Sequence, residues 1–373
     1  MKVKVKVVEM GDNIHITECT TKKHIKDFLD FPKYIYSDEY CPQDYKTEKQ
    51  LLTGKHVLSK DFKITPMIAY QVSCDNYRVL ARCIITEYEN DDKAYIGLFE
   101  SIDNYYVYTK FLLEVERKCK SLGKKQMVGP VDASFWIRYR FKQSSDRRFR
   151  DTYTGEPYNK QTYIRMWKDA GFEVDNVYSS NFYRQVEETD SSEKCKLRIR
   201  QMTEKGYIIK NSSFKSFDKD IHEIYRMITT LYSNFPMYKN LTFEQFKKLF
   251  GYLKWVLNYS MVKMVYKDGK AVAFFICVPN YTEIYKENNL IFILVNLLRI
   301  RRKPKEYVML YMGVEGKHLG LGGALAEVTK QELFKNKCTS IGALIQEGKA
   351  TNIYYKNLIV GKATYVTLKK NIE

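Results

Sequence analysis

The stretch Tyr307-Val-Met-Leu-Tyr-Met-Gly-Val-Glu-Gly-Lys-His-Leu-Gly-Leu-Gly-Gly-Ala-Leu-Ala326 decides how this chain is read. Its opening run, Tyr307 to Val314, is aromatic, β-branched and otherwise apolar, as a buried strand is. From Leu321 onward the residues suit a helix. Between the two, Gly316, Gly320, Gly322 and Gly323 crowd one junction. Glycines there let the backbone approach a ligand closely. The free N–H groups of the first helical turn then point at that ligand, and the helix dipole adds positive potential. Such a junction suits a pyrophosphate, and Lys317 adds a mobile positive charge at its mouth. Two common nucleotide loops are excluded: Gly320-Leu-Gly322 lacks the third spaced glycine of GxGxxG, and there is no GK[ST].

Outward from the junction, the pattern predicts a helix over 321–334, a strand over 340–346, a short helix over 352–358 and a strand over 363–369. Upstream lie strands over 207–214, 261–267 and 271–279, the last two joined by an Asp268-Gly269 turn. Helices are expected over 218–235 and 242–257, with Thr242 as N-cap and Gln245 in the capping-box position. The first half has the same order. A strand over 94–100, a helix over 105–122 ending at Gly123, a strand over 126–130, a helix over 160–170 and a strand pair over 174–186 follow a hairpin across Asp75-Asn76. A helix over 23–36 should break near Pro32. This is a mixed α/β chain whose halves repeat one order of elements, which reads as an internal duplication. The polar stretch from Glu187 to Lys194 sets the boundary, giving domains 1–190 and 191–373.

Composition fits two folded domains. The chain has 373 residues, 45% hydrophobic and 28% charged, which excludes a disordered chain. With 62 Lys and Arg against 44 Asp and Glu, the formal charge is +18, which favours a polyanionic partner. Eight cysteines without a CxxC pair and five histidines without metal-ligand spacing read as reduced core thiols and no metal. The amino terminus lacks the apolar core of a secretory signal, so a cytoplasmic protein is expected. The longest apolar run, Asn289 to Leu298, is too short to cross a bilayer and reads as a core helix or strand.

Lys317-His-Leu-Gly-Leu-Gly322 resembles the [QR]xxGx[GA] acyl-CoA pyrophosphate loop of the GNAT acetyltransferase superfamily, with Lys317 in place of Gln or Arg. Tyr355-Lys-Asn-Leu-Ile-Val360 resembles that family's Y-x-x-L-G-F ending, with Ile359 and Val360 in place of Gly and Phe. The resemblance covers 207 to the C-terminus. It implies two tandem GNAT-like domains, the N-terminal one degenerate. There, Asp103 stands where a phosphate would sit, no glycine follows the strand, and Trp167 replaces the tyrosine. It also implies acetyl-CoA or another acyl-CoA as co-substrate, held by Gly313, Val314, Lys317, His318, Leu319, Gly320, Leu321, Gly322, Gly323 and Ala324. A small-molecule or peptide amine would attack the thioester directly. The N–H near Gly313 or Val314 would polarise the carbonyl, Tyr355 would act as general acid, and Glu315 and Glu347 are the candidate bases. Gly129-Pro-Val-Asp-Ala-Ser134 resembles a stretch of tandem GNAT proteins, and its residues read as a tight turn.

Two rival readings stand beside this one. Fem-type aminoacyltransferases also carry tandem GNAT folds and take their amino acid from aminoacyl-tRNA. Arg147-Arg148-x-Arg150 and Arg299-x-Arg-Arg-Lys303 could neutralise phosphates of such an RNA. The intact glycine loop favours CoA instead. The other rival is a non-catalytic binding protein that keeps the loop as a fold element.

Overall fold

The computed structural model describes residues 14–36, 40–73, 76–191, 193–286, 289–318, 320–348 and 354–372. In chain order the elements are β1 (Ile14–Glu18), α1 (Lys22–Ile35), α2 (Tyr45–Leu52), β2 (Lys63–Ser73), β3 (Asn76–Glu87), β4 (Lys93–Ser101), α3 (Tyr105–Ser121), β5 (Gln126–Gly129), β6 (Phe141–Ser145), α4 (Tyr163–Asp169) and β7 (Glu173–Tyr183). They continue with α5 (Glu193–Glu204), β8 (Tyr207–Asn211), α6 (Phe217–Leu231), α7 (Phe243–Phe250), α8 (Leu253–Val256), β9 (Val262–Lys267), β10 (Lys270–Pro279), α9 (Leu290–Arg302), β11 (Glu306–Val314), α10 (Leu321–Asn336), β12 (Thr339–Gln346) and β13 (Ile359–Asn371). The chain divides into two compact units: residues 1–141, 159–175 and 367–373 form unit 1, and residues 142–158 and 176–366 form unit 2. Residue 190, where the polar stretch suggested a boundary, lies within the range of unit 2.

In unit 1, β1 to β4 run as an antiparallel meander, β5 joins β4 in parallel, and the end of β13 pairs antiparallel with β5. The expected β2–β3 hairpin closes at Ser73 opposite Asn76; its connecting residues 74 and 75 lie outside the described residues. Phe28, Leu80, Ile84, Ile96, Phe111 and Trp167 are fully buried and make the core. Helix α1 does not break at Pro32. Proline removes the N–H that the Phe28 carbonyl would accept. Arg82 Nη1 replaces it, donating to the Phe28 oxygen at 3.0 Å, while its guanidinium pairs with buried Glu48 at 2.7 Å. The helix therefore continues with no orphaned carbonyl.

In unit 2, the order is β7-β12-β11-β10-β9-β8, with β11 and β12 parallel and the other pairs antiparallel. The β9–β10 turn is formed by Asp268 and Gly269, both at positive φ, 52° and 76°. Thr242 and Gln245 make the expected capping box on α7. That helix stops at Gly251, and a separate α8 follows, where a single helix over 242–257 was expected. Likewise 174–186 holds one strand, β7, in place of a pair. The polar segment after residue 187 contains the start of α5, a helix with no fully buried residue, whose half-buried Cys195, Ile199 and Met202 follow one another at helical spacing. Only a single helical turn, Lys356–Leu358, is described within the expected helix over 352–358, whose first residues lie outside the described residues.

One expectation is overturned by burial. The apolar run Asn289 to Leu298 is neither core helix nor core strand: it forms α9, and Leu290, Ile291, Phe292, Leu294, Val295 and Leu298 are all exposed. Apolarity fixed the helix but not which surface it would face. No helix among the described residues is long and apolar enough to cross a membrane.

Candidate functional site

Strands β11 and β12 pair only over Glu306–Met309 with Thr339–Gly342, and beyond that they part. A bulge in the β10–β11 ladder, where the register shifts between Ile276 and Cys277, falls at the same place. From there β11 keeps its bonds to β10 alone. Gly313 lies opposite Phe274 and Val314 opposite Ala273, and the β12 side of β11 is left as an open edge. Gly313 is required by packing, since a Cβ there would sit 2.5 Å from the Phe274 ring and 2.8 Å from Leu231.

The loop leaving β11 is anchored at its first residue. The Glu315 N–H donates to the Val272 carbonyl at 3.0 Å, and its carboxylate accepts from Arg226 Nη1 of α6 at 2.5 Å. Arg226 is also held by Glu223 and the Ala271 carbonyl. Lys317 is exposed at the tip. His318 turns back, its Nδ1 paired with the Tyr207 hydroxyl at 2.9 Å. Leu319 lies outside the described residues. Gly320 then takes φ +97°, a left-handed conformation that strains any other residue, and serves as N-cap of α10. No side chain caps this helix and no acidic residue occupies its first turn. The N–H groups at Gly322 and Gly323 belong to that uncapped turn, where a helix has no carbonyl of its own to offer, while the Leu321 N–H makes only a long bond, 3.4 Å, to the His318 carbonyl and Ala324 is the first residue four on from the N-cap.

Two residues that sequence reasoning missed stand over this turn. A Cβ on Gly322 would lie 2.4 Å from the Tyr354 hydroxyl, and a Cβ on Gly320 would lie 3.3 Å from the Arg198 guanidinium carbon. Arg198 comes from α5, which packs on α10. The glycines thus form a shallow cradle of main-chain donors, flanked by a guanidinium and a phenol. Burial pushes the Tyr354 phenol upward and Arg198 opposes that, so the group remains a neutral donor at ordinary pH. Anion-directed amides, a planar cation and a hydroxyl donor are the donor set a pyrophosphate takes. The residues present fit that group.

The other site candidates fall in different surroundings. Tyr355 is buried, its hydroxyl donating to the Ala326 carbonyl at 2.7 Å, in the same apolar cluster as Met309, where β11 and β12 part. Burial pushes its phenol well above the usual range. Glu347 is exposed at the end of β12, its N–H bonded to the Val177 carbonyl at 3.1 Å. On the α6 side of the sheet, a cavity of about 40 Å³ is lined by Ile224, Ile228, Phe246, Leu257, Ile276 and Tyr311. Tyr311 is the β11 residue just past the bulge.

Unit 1 contains the corresponding elements in a closed form. Lys93 pairs with Gln126 as Glu306 pairs with Thr339, with the same number of residues between partners, and β4 and β5 also part early. There the unit supplies its own anions. The Leu98 N–H, at a bulge residue with φ 47°, donates to Asp132 Oδ1 at 2.7 Å, so the Gly129–Ser134 turn fills the gap between the strands. The start of α3 is capped by Asn104, whose side chain accepts from the Val107 N–H at 3.2 Å, and Asp103 beside it pairs with Arg165 at 2.5 Å. Trp167 is fully buried against Phe99, Phe141 and Phe172.

Within unit 2, Arg147 of the first basic run is committed to a structural pair. Arg147 makes a two-pronged pair with Glu306 at 2.6 and 3.2 Å and lies 4.1 Å from the Phe182 ring centre, and Arg148 pairs with Asp151 at 2.9 Å. Arg148 and Arg150 stay exposed.

No protein-family model matches the chain, and no curated protein matches its sequence. Solved structures do match. A tandem GNAT protein from the clavulanic acid biosynthesis pathway, solved without acetyl-CoA, gives a TM-score of 0.52 at 8% identity over 96% of this chain and 99% of that one. A GCN5-related glucosamine N-acetyltransferase region of a fungal multi-domain GH3 β-N-acetylglucosaminidase gives 0.52 at 11% identity over 97% of this chain and 38% of that one. The N-acetyltransferase from Sphaerobacter thermophilus gives 0.48 at 10% identity over 97% and 96%. At such identities the likeness is one of fold: the chain is a mixed α/β protein with a tandem GNAT fold.

Proposed function

We propose that unit 2 binds an acyl-CoA, acetyl-CoA in the first instance, and transfers the acyl group to an amine, while unit 1 is a GNAT-like unit that binds no CoA. The observation that carries this is the uncapped start of α10, with left-handed Gly320, the Arg198 guanidinium and the Tyr354 hydroxyl around it. In unit 1 the matching helix start is closed by Asn104 and Asp103.

Acyl-CoA supplies an activated thioester. The main-chain donors at the start of α10, those of Gly322 and Gly323 foremost, hold the pyrophosphate with Arg198, Tyr354 and Lys317. The Val314 N–H polarises the thioester carbonyl: the Glu315 N–H faces β10, so by strand alternation the Gly313 N–H faces β10 too and the Val314 N–H faces the open edge of β11. As the amine forms the C–N bond and the C–S bond breaks, the amine loses a proton and the thiolate takes one. Tyr355 gives that proton, exchanging its bond to the Ala326 carbonyl for one to the thiolate. Glu347 is the acceptor for the amine proton, because Glu315 is committed to Arg226 and positions the loop. The cavity beside Tyr311 suits a small apolar part of the acceptor.

Thiol release from acetyl-CoA across a panel of amines, amino acids and peptides tests this reading. Arg198→Ala should raise KM for acetyl-CoA about tenfold, the worth of one charge-assisted contact, with kcat little changed. Release that depends on no amine, or is indifferent to Arg198, contradicts it.

A further inference from the structure

Outside the α10 mouth, the outer face of α9 is the most unusual surface among the described residues. Leu290 is 76% exposed, Ile291 71% and Leu294 63%, and Phe292, Val295 and Leu298 are more than half exposed. At 100° per residue, Leu290, Ile291, Leu294, Val295 and Leu298 cover an arc of about 140°, with buried Ile300 on the opposite side. Singly scattered apolar residues need no explanation, but one continuous patch does. The Asn289 side chain caps the helix by accepting from the Ile291 N–H at 2.9 Å.

The chemistry changes along the axis. Past Leu298 come Arg299, Arg301, Arg302 and Lys303, then Lys305. Arg299 and Lys305 share the Glu283 carboxylate at 3.3 and 2.9 Å, Arg301 is tied to the Leu257 carbonyl at 3.0 Å, and Arg302 and Lys303 are exposed. The turn after α8 is fixed to this end of α9, Asn258 Nδ2 donating to the Arg301 carbonyl at 3.0 Å. On α8 and just before it, Trp255 and Tyr252 are each 62% exposed, the two ring types that favour a membrane–water interface. The apolar part of α9 is about 13 Å long at 1.5 Å per residue, against a hydrocarbon core of about 30 Å.

We propose that α9 docks this protein on the surface of an anionic phospholipid bilayer, its apolar turns entering the acyl boundary and its basic end lying among headgroup phosphates. An apolar face followed by a cationic turn is complementary to such an interface in both layers. A second copy of the chain is the less complementary occupant, because residues 289–303 contain no acidic residue and a like face therefore offers the basic end no anionic counterpart.

Co-sedimentation of the full chain with vesicles tests the proposal. The lipids are phosphatidylcholine alone, and phosphatidylcholine with about one-third phosphatidylglycerol. Binding to the anionic vesicles should be at least about tenfold tighter and should weaken in high salt. Leu294→Glu with Leu298→Glu should abolish it, while Arg302→Glu with Lys303→Glu should remove only the preference for anionic lipid. Unchanged circular dichroism and melting confirm that the variants fold. Absence of binding to either vesicle overturns the proposal. A wild-type dimer that the Leu294/Leu298 variant dissociates, with no vesicle binding, also overturns it and assigns the face to self-association.

Discussion

Replacing Gly322 by alanine places a methyl group 2.4 Å from the Tyr354 hydroxyl and 3.1 Å from the ring carbon that bears it. Two effects oppose each other. Alanine in a helix is favoured over glycine by up to about 1 kcal/mol. Overpacking costs about 1–3 kcal/mol, and here the lower end applies, since the clash is with the far end of a half-buried side chain. Gly322→Ala alone should therefore be close to neutral or slightly destabilising. In a Tyr354→Phe background the oxygen is gone, the nearest ring atom at 3.1 Å need give by only a few tenths of an ångström at the free end of the side chain, and the same substitution should be the more favourable there. The expected coupling is about 1 kcal/mol, well above the scatter of about 0.3–0.5 kcal/mol for independent sites. Urea denaturation of the four proteins, followed by circular dichroism, measures the cycle. An equal gain from Gly322→Ala in both backgrounds would refute the placement of Tyr354 over the first turn of α10.

Two further outcomes follow from buried groups. In unit 1, burial pushes the Glu100 carboxyl up to about 7, against the pull of Arg82 and of the Tyr163 hydroxyl that donates to it at 2.5 Å. Its folded pKa lies above the unfolded value near 4.5, so its stabilising contribution is present below pH 4.5 and is lost as pH rises through about 7. The span corresponds to roughly 3 kcal/mol, and Glu100→Gln should flatten that part of the stability profile between pH 5 and pH 8. If the wild-type and Gln profiles run parallel, Glu100 is not the titrating group. In unit 2, Tyr355→Phe leaves the buried Ala326 carbonyl without its donor and should cost about 1–2 kcal/mol in denaturation. The same variant should slow single-turnover acyl transfer, and transfer at the wild-type rate across the pH range would make Tyr355 a packing residue only.

The legible parts of this molecule are those written in consecutive residues. The junction of β11 and α10 could be read because a strand run, glycines at special positions and a helical run follow one another within twenty residues, Tyr307 to Ala326. The capping box at Thr242 and the Asp268-Gly269 turn are equally local. What stayed hidden depends on distant partners. Arg198 reaches the site from α5, which fills the interval between the polar stretch ending at Lys194 and the strand expected from 207, and whose half-buried stripe of Cys195, Ile199 and Met202 was short enough to pass unassigned. Tyr354 and Tyr355 are neighbours with opposite surroundings, one over Gly322 and one against Ala326, and their order in the chain does not say which is which. Pro32 reads as a helix break unless Arg82, fifty residues on, is known to serve the Phe28 carbonyl. The outward turn of α9 was hidden for the same reason, since a run of leucines is compatible with a core or with an exposed face.

Calorimetric titration of the full chain with acetyl-CoA tests the central claim most directly, through its stoichiometry. One molecule bound per chain, with affinity lost on Gly320→Glu and retained on Asn104→Ala, is the outcome the open α10 and the capped α3 predict. No binding, or binding that survives Gly320→Glu, would contradict it.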